Sequence, residues 1–174
     1  MYGQTGRSQT AEVQYRLDTF ISENCTTDYT QISAASVEKV LKYSVYRIRQ
    51  EIKNIYGEKK VKLNEFIVID NGKKASCFEA IRTNKQLPEL TSYIKENFAL
   101  NPENAAIFQS MLDYIYPIAD WKPDKREYFF KNGKWYFLRD KHFRSRQGFE
   151  VTVDSHGKIK NICYKMKWDE EDSK

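Results

Sequence analysis

Apolar residues recur at helical spacing near the start of the chain. Val13, Leu17, Phe20 and Ile21 fall at i, i+4, i+7 and i+8, which predicts a helix over residues 11–24 with one buried face. The polar, Gly/Ser/Thr/Gln-rich residues 1–10 are expected to form a flexible tail. Thr26, Thr27 and Asp28 break the helix. Val37, Val40 and Leu41 predict a short second helix over 33–41, with Ser33 as N-cap. Val45, Ile48, Ile52 and Ile55 predict a third over 44–56, capped by Ser44 and ended by Gly57.

The period then changes. Val61 to Ile69 and Ala75 to Ile81 read as strands around Asp70-Asn71-Gly72, a hairpin turn in which Gly72 takes positive φ. Helical spacing returns after Pro88, for a helix to about Leu100. A second helix, introduced by Asn101-Pro102-Glu103, runs to about Tyr116 with Ala106, Ile107, Met111, Leu112 and Ile115 as its apolar set. Pro117 and Pro123 close this region. The last third is strand-like: 127–131 and 134–139 around Asn132-Gly133, then 149–153 and 158–166 around Asp154-Ser155-His156-Gly157. Lys141 to Gln147 reads as a basic connecting loop. Alternation sets Tyr128, Phe130, Trp135 and Phe137 against Phe129, Tyr136 and Leu138. Phe137, near its strand centre, is expected to be deeply buried and Tyr136 more exposed.

Three helices followed by a hairpin is the order of a winged helix. Leu41-Lys42-Tyr43-Ser44, with Ile48 and Ile52 four and eight residues after the serine, resembles the turn and core positions of the winged helix-turn-helix superfamily over about residues 12–82. Lys42 stands where that turn usually has Gly, and Glu38 where a small residue is usual. The order of Phe20-Ile21, the 45–55 segment and the Lys60–Ile69 strand is also similar to the winged helix of the accessory third subunit of DNA polymerase delta. There the module docks onto a partner subunit, so this second resemblance implies a protein contact.

The fold expected is therefore α+β. An 11–82 winged-helix-like domain would precede an 83–168 domain of helices packed on an antiparallel four-stranded sheet, with an acidic tail at 169–174. On the winged-helix resemblance, the 44–56 segment is the recognition helix. It would present Tyr46, Arg47, Arg49, Gln50 and Lys53, with the arginines and Gln50 suited to base edges. The hairpin is the wing, with Lys73 and Lys74 at its tip and Lys59, Lys60 and Lys62 at its base.

Charge supports this direction. The chain carries a formal +5. Residues 39–74 hold 10 Lys/Arg against Glu51, Glu58, Glu65 and Asp70. Residues 122–167 hold 13 against Asp124, Glu127, Asp140, Glu150 and Asp154. The stretch between them is acidic. Two basic blocks suit a polyanionic partner, with DNA favoured over RNA. In the second block, Tyr136, Arg139, Lys141, Arg144 and Arg146 are candidates for single-strand contacts, since aromatic side chains on a basic sheet can stack bases. Core packing competes for the same aromatics.

Catalysis finds little support. His142 and His156 lie at no metal-ligand spacing from a cysteine or from each other, so neither metal nor cofactor is expected. His156 reads as a turn residue and Cys163 as a buried strand residue. There is no Gly-rich phosphate loop. Cys25, Cys77 and Cys163 are odd in number and far apart, as in a reducing compartment. No signal-peptide-like or membrane-spanning apolar run is visible. The expectation is a soluble intracellular protein, nuclear in a eukaryote and cytoplasmic in a bacterium. Two other classes stand beside nucleic-acid binding: an interaction subunit of a larger nucleic-acid-processing complex, and a small enzyme with a dispersed active site.

Overall fold

The computed structural model describes residues 5–24, 29–32, 34–53, 55–57, 60–78, 87–116, 125–141 and 145–165. Four helices and eight strands follow one another among them. They are α1 (Thr5–Asn24), β1 (Tyr29–Ile32), α2 (Ala35–Val40), β2 (Ser44–Lys53), β3 (Lys60–Asp70), β4 (Ala75–Phe78), α3 (Leu87–Tyr93), α4 (Ala105–Ile115), β5 (Arg126–Lys131), β6 (Lys134–Lys141), β7 (Ser145–Val153) and β8 (Ile159–Lys165). The class is α+β. The strands form two four-stranded antiparallel sheets, ordered β1-β2-β3-β4 and β5-β6-β7-β8. The chain divides into two compact units. One is Met1–Glu38 with Tyr43–Glu79; the other is Lys39–Lys42 with Ala80–Lys174.

In the first unit α1 packs on the sheet. Leu17 and Ile21 meet Ile48, Val68 and Ala75, with Phe20 and Tyr46 partly buried beside them. Arg16 of α1 donates from Nε to both carboxylate oxygens of Asp70, at 3.1 and 2.8 Å. The helix begins at Thr5, so part of the expected tail is helical: Thr5 to Thr10 lack a proline to stop it.

The major correction is β2. Residues 44–53 form a strand, not a recognition helix, and Ser44 opens a strand rather than capping a helix. The apolar spacing at 45, 48, 52 and 55 matched a helix. Yet all its apolar residues, Val45, Tyr46, Ile48 and Ile52, are β-branched or aromatic, and these favour a pleated surface. Ten cross-strand partners, from Ser44↔Asp70 to Lys53↔Lys60, then decide in favour of strand. The element order up to β4 is thus α-β-α-β-β-β.

The second helix and the hairpin stand close to expectation. Val37, Val40 and Leu41 are buried. Ser33 lies outside the described residues. β3 and β4 pair from Ile67↔Phe78 to Asp70↔Ala75 around Asn71–Lys74, a four-residue turn rather than a two-residue one. Gly72 has φ +85.

In the second unit α3 ends at Tyr93, short of the expected Leu100. The backbone leaves the helix to pair with residues 40–42: Lys42 N donates to Tyr93 O at 2.9 Å and Lys95 N to Val40 O at 3.0 Å. Asn101 and Asn104 hold the entry to α4. The Asn101 Oδ1 accepts from the Glu103 and Asn104 amides, and the Asn104 Oδ1 from the Asn101 amide. The four-stranded antiparallel sheet is present. Its β6 and β7 run further than expected, pairing to Lys141↔Ser145, so most of the expected 141–147 loop is strand. Phe137 is fully buried against Phe108 of α4, ring centroids 5.3 Å apart, and Tyr136 on the opposite face is half-buried. The residues after Lys165, the acidic tail included, lie outside the described ones.

Candidate nucleic-acid interface

The predicted contact residues of the first unit divide between the two faces of β2. Tyr46, Ile48 and Gln50 point to the α1 side, and Gln50 is buried rather than outward. Arg47 and Arg49 point the other way, beside buried Val45, Ile67 and Ile69. They are not freely exposed. Both reach Glu65 across the strand pair, Arg47 Nε at 3.5 Å and Arg49 Nε at 2.9 Å from its two carboxylate oxygens. One carboxylate thus offsets part of the charge of two arginines.

Lysines mark the hairpin ends. Lys73 and Lys74 are exposed in the β3–β4 turn, which is held by its own side chains. The Asn71 Oδ1 accepts from the Lys73 and Lys74 amides, both at 3.0 Å, and the Asp70 Oδ1 from the Gly72 amide at 2.8 Å. Lys53 and Lys60 stand directly opposite each other at the other end of β3. Ten positions apart along the strand, Lys60 and the Asp70 turn are separated by roughly 33 Å. The wing tip and its base are therefore opposite ends of one hairpin.

The Lys53 end projects. β1 pairs only with residues 47–50 of β2, and β4 only with residues 67–70 of β3. Beyond Gln50 the pairing register slips: Gln50 faces Asn64 but Glu51 faces Lys62, leaving Leu63 as an extra residue. Among the described residues, 51–53 and 60–62 thus pair only with each other, as a two-stranded ribbon. Its turn carries Ile55 and Tyr56, 92% and 77% exposed, and Gly57 at φ +71. Ile52, on the ribbon itself, is also exposed.

This tip went unread in the sequence. Helical spacing predicts Ile52 and Ile55 on a buried face and Gly57 at a helix end, whereas in the structure all three are exposed. Between positions 45 and 56, Val45, Tyr46, Ile48, Ile52, Ile55 and Tyr56 are all strand-favouring, and Asn54 and Gly57 bracket a turn. That composition was the available signal.

In the second unit Arg139 is not a surface contact. It is 3% exposed, and its Nη1 donates to Asp113 Oδ1 at 2.9 Å and to the Tyr116 carbonyl at 2.8 Å. The guanidinium lies over the Tyr116 and Phe149 rings, 5.5 and 5.3 Å from their centroids. Its Nε and Nη2 make no hydrogen bond among the described residues. β6 alternates Trp135, Phe137 and Arg139 onto the α4 side, so the arginine inherits a core position. Burial pulls its proton affinity below the usual arginine range, and Asp113 works against that. Burial, reinforced by Tyr164, pushes the Tyr116 hydroxyl up to about 12, with Arg139 opposing. Tyr164, also raised by burial, donates to Gln147 Oε1 at 2.8 Å.

The opposite face carries a Phe129–Tyr136 stack with ring centroids 5.1 Å apart. Beside it, Lys134 Nζ lies 2.6 Å from Glu150 Oε1, a bond that raises the lysine's pKa. Lys131 stands opposite Lys134 at the Asn132-Gly133 turn. Lys59 and Arg144 lie outside the described residues, and of Lys60, Lys141 and Arg146 only the strand positions are described.

Among the described residues, no group of three His, Cys, Asp or Glu side chains could hold a metal ion. His156 sits in the β7–β8 turn, as expected, and Cys163 is half-buried rather than buried. No helix among the described residues is long and apolar enough to cross a membrane. No protein-family model, curated protein or solved structure matches the chain.

Proposed function

We propose that this chain is a non-catalytic nucleic-acid-binding protein that takes duplex DNA as its partner through the β2–β3 ribbon. One observation carries the reading: the ribbon extends past both neighbouring strands with Lys53 set directly opposite Lys60. Like charges directly opposite destabilise a strand pair. A polyanion lowers that cost. A two-stranded ribbon also has the width to enter a duplex groove. Arg47 and Arg49, bridged to Glu65, orient the ribbon's base and contribute less charge than their number suggests.

A salt titration of duplex binding tests this. Each phosphate contact adds about 0.9 to the slope of log affinity against log salt. Lys53→Ala with Lys60→Ala should flatten the slope by about 1.8. Unchanged slope and affinity in a folded double variant would remove the ribbon from the interface. A second reading, docking onto a protein partner in a larger complex, is favoured by the exposed Ile55 and Tyr56. It predicts no salt-dependent duplex binding by the parent chain.

A further inference from the structure

Among the described residues no strand lies beyond β5, which ends its sheet. Natural edge strands are usually protected by a proline, a bulge or a charge at the strand centre. β5 has none of these: it pairs with β6 from Arg126 to Lys131 without a register shift, and Tyr128, Phe129 and Phe130 fill its middle. The phase of its backbone bonds follows from the turn. Asn132 and Gly133 both have positive φ, 52 and 76, as in a type I′ turn, which closes on a Lys131–Lys134 bond. Lys131, Phe129 and Glu127 therefore bond to β6, while Tyr128 and Phe130 turn their N–H and C=O groups outward. The side chains of these two residues are also exposed, 38% and 54%, although Trp135 and Phe137 beside them on the same face are buried.

We propose that β5 pairs antiparallel with β5 of a second copy of this chain, about a two-fold axis at Phe129. The inference does not depend on duplex binding by the ribbon. What carries it is that the strand is complementary to itself in this one register. Tyr128 of each copy stands opposite Phe130 of the other, and their outward backbone groups exchange both bonds in each pair. Aromatic side chains directly opposite one another stabilise a strand pair. On the other face, Glu127 of each copy stands opposite Lys131 of the other, an opposite-charge pair on either side of Phe129. The neighbouring registers lose this match. Centred on Tyr128, Lys125 meets Lys131 and Glu127 meets Phe129. Centred on Glu127, the two Glu127 carboxylates face each other. Centred on Phe130, Lys131 meets Phe129. The two-fold arrangement uses the open edge of β5 in both copies, so it closes at a dimer.

Sedimentation velocity of the full chain reads the dimer. One strand edge makes a small interface, and small interfaces are weak, so the parent should pass from monomer to dimer between about 1 µM and about 1 mM. Glu127→Lys and Lys131→Glu, each alone, set like charges opposite one another on both sides of the axis. Each should weaken the dimer by about tenfold or more. An equimolar mixture of the two variants restores both opposite-charge pairs and should dimerise about as tightly as the parent. Within one chain the two positions are roughly 13 Å apart along the strand, so a contact between copies is what links their charges. Unchanged melting curves check that each variant folds. A parent that stays monomeric up to about 1 mM would overturn the proposal. A dimer untouched by either single variant would overturn it in favour of another surface, and a mixture no tighter than its components would overturn the register on which it rests.

Discussion

Asp113→Ala isolates the energetics of the buried arginine. The substitution removes the carboxylate that receives Arg139 Nη1 at 2.9 Å and faces Arg126 Nε at 3.2 Å. Arg139 would keep only the Tyr116 carbonyl as acceptor, because its Nε and Nη2 make no hydrogen bond among the described residues. Breaking a buried pair from one side costs about 3–5 kcal/mol, since the remaining charge is still buried and uncompensated. The two aromatic faces soften this, each contact contributing about 0.5–2 kcal/mol, but they are present in parent and variant alike and largely cancel. With a urea m-value of about 2 kcal/mol/M, the midpoint should fall by about 2 M. The control is Asp113→Leu with Arg139→Met, which removes both ions and fills the space. It should unfold near the parent midpoint, because apolar replacement of a buried pair is often neutral or stabilising. Circular dichroism against urea reads both. If Asp113→Ala is as mild as the double replacement, Arg139 is not held as a buried cation by Asp113. Arg139→Met should also leave the salt slope of duplex binding unchanged, since this arginine is inside the second unit.

Phe137→Ala should cost about 3–5 kcal/mol, the range for a buried Phe. Tyr136→Ala should cost only about 0.5–1.5 kcal/mol, through its lost stack with Phe129; thermal melts decide, and a larger loss at Tyr136 would invert the two faces of β6. The pH dependence follows from Tyr116. Its folded hydroxyl holds its proton up to about 12, above the ordinary tyrosine value of 10.0 expected on unfolding. The unfolded chain therefore releases that proton first, so the contribution is complete below pH 10 and is lost as pH rises from about 10 to about 12. Tyr116→Phe should flatten the stability profile in that window, and an unchanged slope there would exclude Tyr116 as its source.

The second unit was the more legible half. β5, and β6 as far as Phe137, alternate with period two, and Asn132-Gly133 and Asp154-to-Gly157 punctuate the strands, so the sheet and the burial of Phe137 followed from pattern. Arg139 was misplaced because its type suggests a surface, although its alternation with Trp135 and Phe137 put it in the core. A carboxylate on α4, 26 residues earlier, together with the Tyr116 carbonyl makes that tolerable. In the first unit, Val45, Ile48, Ile52 and Ile55 satisfy a helical spacing as well as Tyr46, Ile48 and Gln50 satisfy a strand. Spacing alone carries no means of choosing between them. The choice is made by pairing with β3, a non-local contact invisible to a window of ten residues.

That same choice relocates the interface. On a helix, Arg47, Arg49, Gln50 and Lys53 would have formed one recognition surface. On a strand they separate: Gln50 turns inward, Arg47 and Arg49 share Glu65, and Lys53 moves out along the ribbon to face Lys60. Arginines bridged to a carboxylate already have a counter-charge, and a partner must displace it before gaining from them. Lys53 and Lys60 hold directly opposite strand positions, where like charges disfavour pairing, so under the proposed reading a polyanion gains more there. Ile55 and Tyr56 follow the same logic, since their apolar surface is exposed until something covers it. Both costs fall on one ribbon that no neighbouring strand supports among the described residues. Under the proposed reading the ribbon end, rather than the arginines of the sheet, is where binding should be sought.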